Sequence, residues 1–345
     1  MHPYVGNIHI HSTYSDGHKS IEKIALAAKS AGLAFVVITD HGNLQGLPEE
    51  GYIHDVLVLI GSEINTTKNH YLALNITEPV AQNDSDPQQV INQVNAQGGF
   101  GFIAHPFEIG SPLVLNNAHY PWTHWDAQGY SGIEVWNWCS QWRDGVRNIL
   151  QGLYYSYINP AGPITGPTPQ AMARFDEVTQ HRPITAIAGS DAHAWPVCKG
   201  PIRRTIFPYR YLFRTANNCI LLDEPLSRDP VKAKTQIYSA LRQGRSYIVN
   251  NLIGTAQGFS FTALNQDNQY QIGDTAPLEE ITGLQIQCPS QFRGRLTLRV
   301  IRNGQLLNEI LRCNVTLRLY EPGVYRLEVY CNKKPWIFTN PIYIV

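Results

Sequence analysis

"LAFVVITDH", residues 33–41, is an unbroken apolar run that ends on an aspartate and a histidine. It is short and rich in β-branched and aromatic residues. It reads as a strand buried on both faces, a pattern typical of parallel sheets whose faces are covered by helices. The segment before it supports this. Ser20 is placed as a helix N-cap, Ile21, Ile24, Ala25 and Ala28 follow helical spacing, and Gly32 is a C-terminal stop.

The unit recurs along the chain. "VLVLIGSE" (56–63) ends in Glu63, "GFGFIAHP" (99–106) carries His105 and "SGIEVWN" (131–137) holds Glu134. "ITAIAGSDAH" (184–193) ends in Asp191 and His193, and helical patterns fall at 87–97 and 167–180. Alternating strands and helices predict an α/β fold, a (β/α) barrel, with residues 1–250 as its domain. Such barrels build their active site from the C-terminal ends of the strands, where these polar residues fall. After residue 250 the pattern becomes short alternating strands, with an Asn303-Gly304 hairpin signal and a Pro322-Gly323 turn. Residues 253–345 are expected to form a small all-β sandwich. The Pro- and Gly-rich stretch 158–169 is expected to be a loop near the barrel mouth.

Composition excludes several classes. Lys+Arg and Asp+Glu balance at 27 each in 345 residues, which does not suit a strongly basic nucleic-acid binder. Duplex binding is not expected. Six scattered cysteines without a CxxC pair read neither as a disulfide framework nor as a zinc ribbon. The first residues do not read as a signal peptide, and no apolar run is long enough to span a membrane, so a cytoplasmic protein is expected.

His9 and His11, two apart on a strand, are expected to share a face, and Asp16 follows on the next turn. Imidazole and carboxylate together suit Zn, Mn or Fe. One His-x-His pair is weak evidence. His41, Glu63, His105, Asp191 and His193 at further strand ends make a centre for several metals the stronger reading.

"HIHSTYSDG", "ITDHGN", "GSEI", "AHP" and "GSDAH", in this order, resemble the PHP (polymerase and histidinol phosphatase) superfamily over roughly residues 5–250. The resemblance implies a distorted (β/α)7 TIM-like barrel that hydrolyses phosphoesters with two or three divalent ions. It implies that His9, His11 and Asp191 hold one metal and that Glu63 bridges to a second held also by His105. Asp16, His41 and His193 hold the third. Glu134 falls where the family takes a further ligand to the second metal, and His70 matches a histidine near the site that contacts substrate.

The expected nucleophile is a hydroxide bridging the metals joined by Glu63. Asp191, His193 and His70 are the expected catalytic residues. Asp40 is expected to orient its neighbours from behind the ligands. Lys199, Arg203 and Arg204, together with Arg143 and Arg147, are candidates to clamp a phosphate. Trp122, Trp125, Trp136, Trp138 and Trp142 form either an aromatic wall for a planar group or loop packing. The expected substrate is a small phosphorylated molecule or a nucleotide. Two other readings stay open: a metal-dependent amidohydrolase-type enzyme on a non-phosphate substrate, and a non-catalytic metal-binding or sensing protein.

Overall fold

The structure is a computed structural model that describes residues 1–199, 202–266 and 269–345, with the side chains at 197–199 and 202–204 outside the description. Its N-terminal part runs β1 (His2–Ile10), α1 (Ile21–Ala31), β2 (Phe35–Ile38), β3 (Gly51–Ile53), β4 (Val56–Ile64), β5 (Tyr71–Leu74), α2 (Pro87–Ala96) and β6 (Phe100–Ile103). It continues with β7 (Gly132–Asn137), α3 (Trp138–Asp144), α4 (Ile149–Tyr157), α5 (Pro169–Thr179) and β8 (Thr185–Ala192). The order β1-β2-β4-β5-β6-β7-β8, with β8 pairing back to β1, closes a seven-stranded barrel. Six strands run parallel to one another; β5 is antiparallel to both of its neighbours.

The run that opened the sequence shows why its strand is apolar throughout. Phe35 and Val37 pack with Ile8, Leu57, Leu59, Leu72 and Phe102 inside the barrel. Val36 and Ile38 pack outward with α1 and its neighbours. Successive side chains point to opposite faces, so a strand buried on both sides carries no polar alternation. Gly32 does stop α1, in the left-handed conformation at φ 78°.

A hairpin of β9 (Pro196–Lys199) and β10 (Ile202–Thr205) and the short α6 (Tyr209–Leu212) lead to β11 (Ala216–Leu222), α7 (Pro230–Arg242) and β12 (Ser246–Asn250). Ala233, Ile237 and Leu241 of α7 join the barrel-interior cluster. Arg242 donates to the carbonyls of Gly98 and Gly99, ahead of β6, so α7 covers the end where the parallel strands begin.

The C-terminal strands are β13 (Ser260–Leu264), β14 (Gln269–Tyr270), β15 (Thr275–Ala276), β16 (Gly283–Gln287), β17 (Leu296–Arg302), β18 (Gln305–Ile310), β19 (Val315–Leu317), β20 (Gly323–Cys331), β21 (Lys334–Thr339) and β22 (Ile342–Ile344). One sheet, β14-β13-β16-β19, faces a second built on β17, β20 and β21. Asn303 and Gly304 make the β17–β18 hairpin at φ 49° and 78°. The second sheet is hydrogen-bonded without a break to the barrel, through β21–β12, β12–β11 and β11–β1.

The first half of β1 pairs with β11 rather than with β8. Asparagine side chains take the missing places on β8. Asn218 accepts from the Ala188 N–H (2.9 Å) and donates to its carbonyl (2.7 Å). Asn340 does the same at Ala186 (2.7 and 3.1 Å). Each amide imitates one residue of a neighbouring strand, which keeps these buried backbone groups paired. Among the described residues no helix is long and apolar enough to cross a membrane.

Candidate metal centre

At the C-terminal mouth of the barrel, nine side chains converge, among the described residues, into three adjoining groups: His9, His11, Glu63 and Asp191; His11, Asp16, His41 and His193; and Glu63, His70 and His105. Glu63, at the end of β4, belongs to two of them. Its Oε2 lies 3.0 Å from His9 Nε2, 3.2 Å from His11 Nε2 and 3.4 Å from His41 Nδ1. Its Oε1 lies 2.6 Å from His70 Nδ1 and 3.1 Å from His105 Nε2. Asp191 Oδ1 lies 3.2 Å from His11 Nε2 and 3.5 Å from His9 Nε2. His193 donates Nδ1–H to the Asp191 carbonyl (2.8 Å), which turns its Nε2 towards Asp16 Oδ1 at 3.2 Å.

His9 and His11 do meet, but not by plain strand alternation. His9 sits at φ 66° where the β1–β8 register shifts, and His11 lies one residue beyond β1. The irregular step aims His9 at the carboxylates that His11 reaches from above the strand end. His105 (φ 25°) and Asp191 (φ 53°) are also in the left-handed region. Such strain in non-glycine residues costs about 1–3 kcal/mol each and gathers at functional sites.

Glu134 and His70 are placed differently with respect to these groups. Glu134 lies outside all three groups. Its Oε1 accepts from His9 Nδ1 (2.8 Å), and its Oε2 accepts from the His105 N–H (2.7 Å) and Asn137 Nδ2 (3.0 Å). It lies three residues short of the end of β7, beneath the donors, and holds His9 from behind. Gly189 makes room for it, since a Cβ there would fall 1.7 Å from Glu134 Oε1.

His70 stands in the third group instead. Because β5 is reversed, its first residues rather than its last reach the mouth. A search confined to the ends of parallel strands passes over it. Tyr120 stacks on its ring at 4.6 Å.

Asp40 accepts from the N–H and Oγ of Ser12 (2.7 and 2.6 Å) and from Ser15 Oγ, pinning the turn that carries Asp16. Asn137 and Ser12 carry no sequence signal of their own; only their partners mark them. Arg143 reaches the cavity but is paired with Glu108, and Arg147 donates to the Gly110 carbonyl. The side chains of Lys199, Arg203 and Arg204 lie outside the described residues. Of the five clustered tryptophans, Trp122, Trp136 and Trp138 are buried packing, Trp125 stacks on Phe107, and Trp142 lines the cavity.

The electrostatics fit cations. Burial works to raise Glu63 and Asp191, yet the surrounding histidines hold both well below the usual carboxylate range. Asp16 is likewise brought down to about 2 against its burial by His193, His11 and His41. Burial works to lower His11, but Asp191 and Glu63 outweigh it and raise it to about 9. His105 is raised to about 9 against burial by Glu108 and Glu63. His41, where burial prevails, falls to about 4. His11 Nδ1 and Nε2, His41 Nδ1, His70 Nε2 and His105 Nδ1 are buried without a hydrogen-bond partner. The unpaired nitrogens of His11 and His41 face the carboxylates of Asp16, Glu63 and Asp191, a donor set that a shared divalent cation would satisfy.

A closed barrel whose mouth carries three linked histidine–carboxylate groups defines a class, the metal-centred barrels. More narrowly, residues 7–165 match the PHP domain family. No curated protein of similar sequence was found. Among solved structures, a two-domain protein from Bacteroides vulgatus containing a predicted PHP-like metal-dependent phosphoesterase is 15% identical, with 99% of this chain and 95% of that one covered and a TM-score of 0.48. A protein from Bifidobacterium adolescentis, whose assignment as a metal-dependent phosphoesterase is also a prediction, is 16% identical, covering 58% and 92%, TM-score 0.36. An amidohydrolase from Chromobacterium violaceum with bound sulfate and no metal is 15% identical, covering 60% and 95%, TM-score 0.32. Scores this low lend no weight to the reaction, and the fold and site stand on the strands and side chains above.

Proposed function

We propose that this chain is a metal-dependent hydrolase of phosphoesters. The supporting observation is the sharing of Glu63 between two donor groups and of His11 between two, which would hold two or three divalent ions (Zn, Mn or Fe) side by side at one cavity floor. Ions so placed would supply a lowered pKa for water and neutralisation of charge on the phosphoryl oxygens. His9, His11, Glu63 and Asp191 would hold one ion, Glu63, His70 and His105 a second, and Asp16, His41 and His193 a third.

The remaining residues orient and enclose. Glu134 fixes the tautomer of His9, the Asp191 carbonyl fixes that of His193, and Tyr120 covers His70. In the reaction, the oxygen of water bonds to phosphorus, the P–O bond to the alcohol breaks, and the alcohol oxygen takes up the proton. Elemental analysis joined to a phosphate-release screen over mononucleotides, bisphosphorylated nucleotides and sugar phosphates tests this. Asp191→Ala should lose at least one ion and nearly all turnover; full metal content and full turnover in that variant would reject the reading.

A further inference from the structure

The cavity above the donor groups has a volume of about 1060 Å³, at the top of the range that encloses drug-sized ligands. Its floor is the metal centre and its walls are largely apolar. One wall is a single face of α4: Ile149, Gly152, Leu153, Ser156 and Tyr157 line it at three- and four-residue spacing. That helix buries none of its residues; Ile149 is 68% and Leu153 53% exposed. Leu113, Trp142, Phe207 and Trp195 also line the cavity. Trp142 and Phe207 pack edge to face at 4.9 Å, which stiffens that part of the lining. Trp195, itself 42% exposed, stacks on His193 at 5.7 Å, so the apolar wall begins against a metal-donor ring. Among the described lining residues outside the donor groups Arg143 is the one cation, and it is bound to Glu108.

Resting on the phosphoester reading, we propose that the ester cleaved here carries an extended apolar group, an alkyl-type chain, that lies along α4 between Leu153 and Trp195. An apolar surface left uncovered beside a highly charged floor matches an amphiphilic substrate: a charged head at the ions and a chain that removes the α4 face from water. Gly152 and Ser156 keep the channel open. A Cβ at Gly152 would meet only Val146, at an ordinary 3.5 Å, so a larger side chain fits the helix and fills the channel instead.

The test is calorimetric titration of the manganese-loaded protein with methyl, butyl, hexyl and octyl phosphonate, which are not hydrolysed. Each methylene removed from water strengthens binding by up to about fourfold, so a gain on the order of a hundredfold from methyl to octyl is expected even with partial burial. A heat-capacity change that grows more negative with length should accompany it. Gly152→Leu, which blocks the channel, and Leu153→Gln, which makes an exposed wall position polar, should each flatten the dependence. Affinity independent of chain length, or no binding at any length, overturns the proposal. So does a dependence that survives unchanged in both variants. Hexyl phosphate tried as a substrate separates the two readings: no phosphate released while the phosphonate dependence holds would remove the phosphoester assignment and leave the apolar channel standing.

Discussion

Glu134→Gln changes no volume and removes no direct metal donor, yet it should weaken metal binding. Two N–H groups, from the His105 backbone and Asn137, converge on Glu134 Oε2. A glutamine must therefore keep its carbonyl oxygen there; turned over, its amide would face two donors. That places its NH2 against His9 Nδ1, 2.8 Å away. His9 Nδ1 must then accept, and its proton moves to Nε2, the nitrogen that faces Glu63 at 3.0 Å and Asp191 at 3.5 Å. The group His9, His11, Glu63 and Asp191 loses one of its four donors. Changing such a supporting residue costs about 10- to 100-fold in metal affinity, or roughly 1.4–2.7 kcal/mol. Calorimetric metal titration measures the affinity, and elemental analysis at saturation measures the stoichiometry. We expect the same number of ions at saturation with one weakened site. Wild-type affinity at every site would refute the tautomer reasoning, and complete loss of one ion would show Glu134 to be a ligand itself.

Three further outcomes are expected. In the metal-free protein His11 and His105, raised to about 9, carry protons at neutral pH, and an ion must displace them. His9, held well above its usual value against its burial by Glu63, Glu134 and Asp191, adds to them, so binding at pH 7.5 should release about two to three protons and tighten as pH rises towards about 9; equal heats in buffers of different ionisation enthalpy would contradict this. Because the folded values of His11 and His105 lie above the unfolded 6.5, these two histidines stabilise the metal-free fold fully below that pH, and the contribution fades as pH climbs through about 9. Asn340→Leu should leave the buried N–H and C=O of Ala186 unpaired and cost about 2–5 kcal/mol, read as a lower urea midpoint; a midpoint equal to wild type would show that the edge of β8 is satisfied in another way. Arg326 is buried, bidentate on Asp176 of α5 at 2.6 and 2.7 Å, and also bonded to Glu328. Arg326→Ala should cost about 3–5 kcal/mol by leaving the Asp176 carboxylate uncompensated, and Asp176→Asn should recover part of that loss in the double variant; an Arg326→Ala melting temperature within a degree of wild type would argue against it.

Much of the barrel is legible from the chain alone, since its strands are short, apolar on both faces and punctuated by helical spacing. A strand buried on two sides must be apolar throughout, and a residue that leaves it for the mouth is free to be polar. For this reason His41, Glu63, His105, Asp191 and His193 stand out in the sequence itself, at the ends of apolar runs. Strand direction and register are different in kind, because they depend on which edges pair. The reversal of β5 decides that His70 joins the donors. The irregular steps where β8 meets β1 and β7, with the space over Gly189, decide that His9 turns inward and that Glu134 stays behind it. Asn218 and Asn340, standing in for a strand along β8, look like any polar residue in the one-dimensional pattern. Local periodicity reports whether a side chain is buried, while its partner is set by contacts between segments far apart in the chain, and those exist only once the barrel has closed.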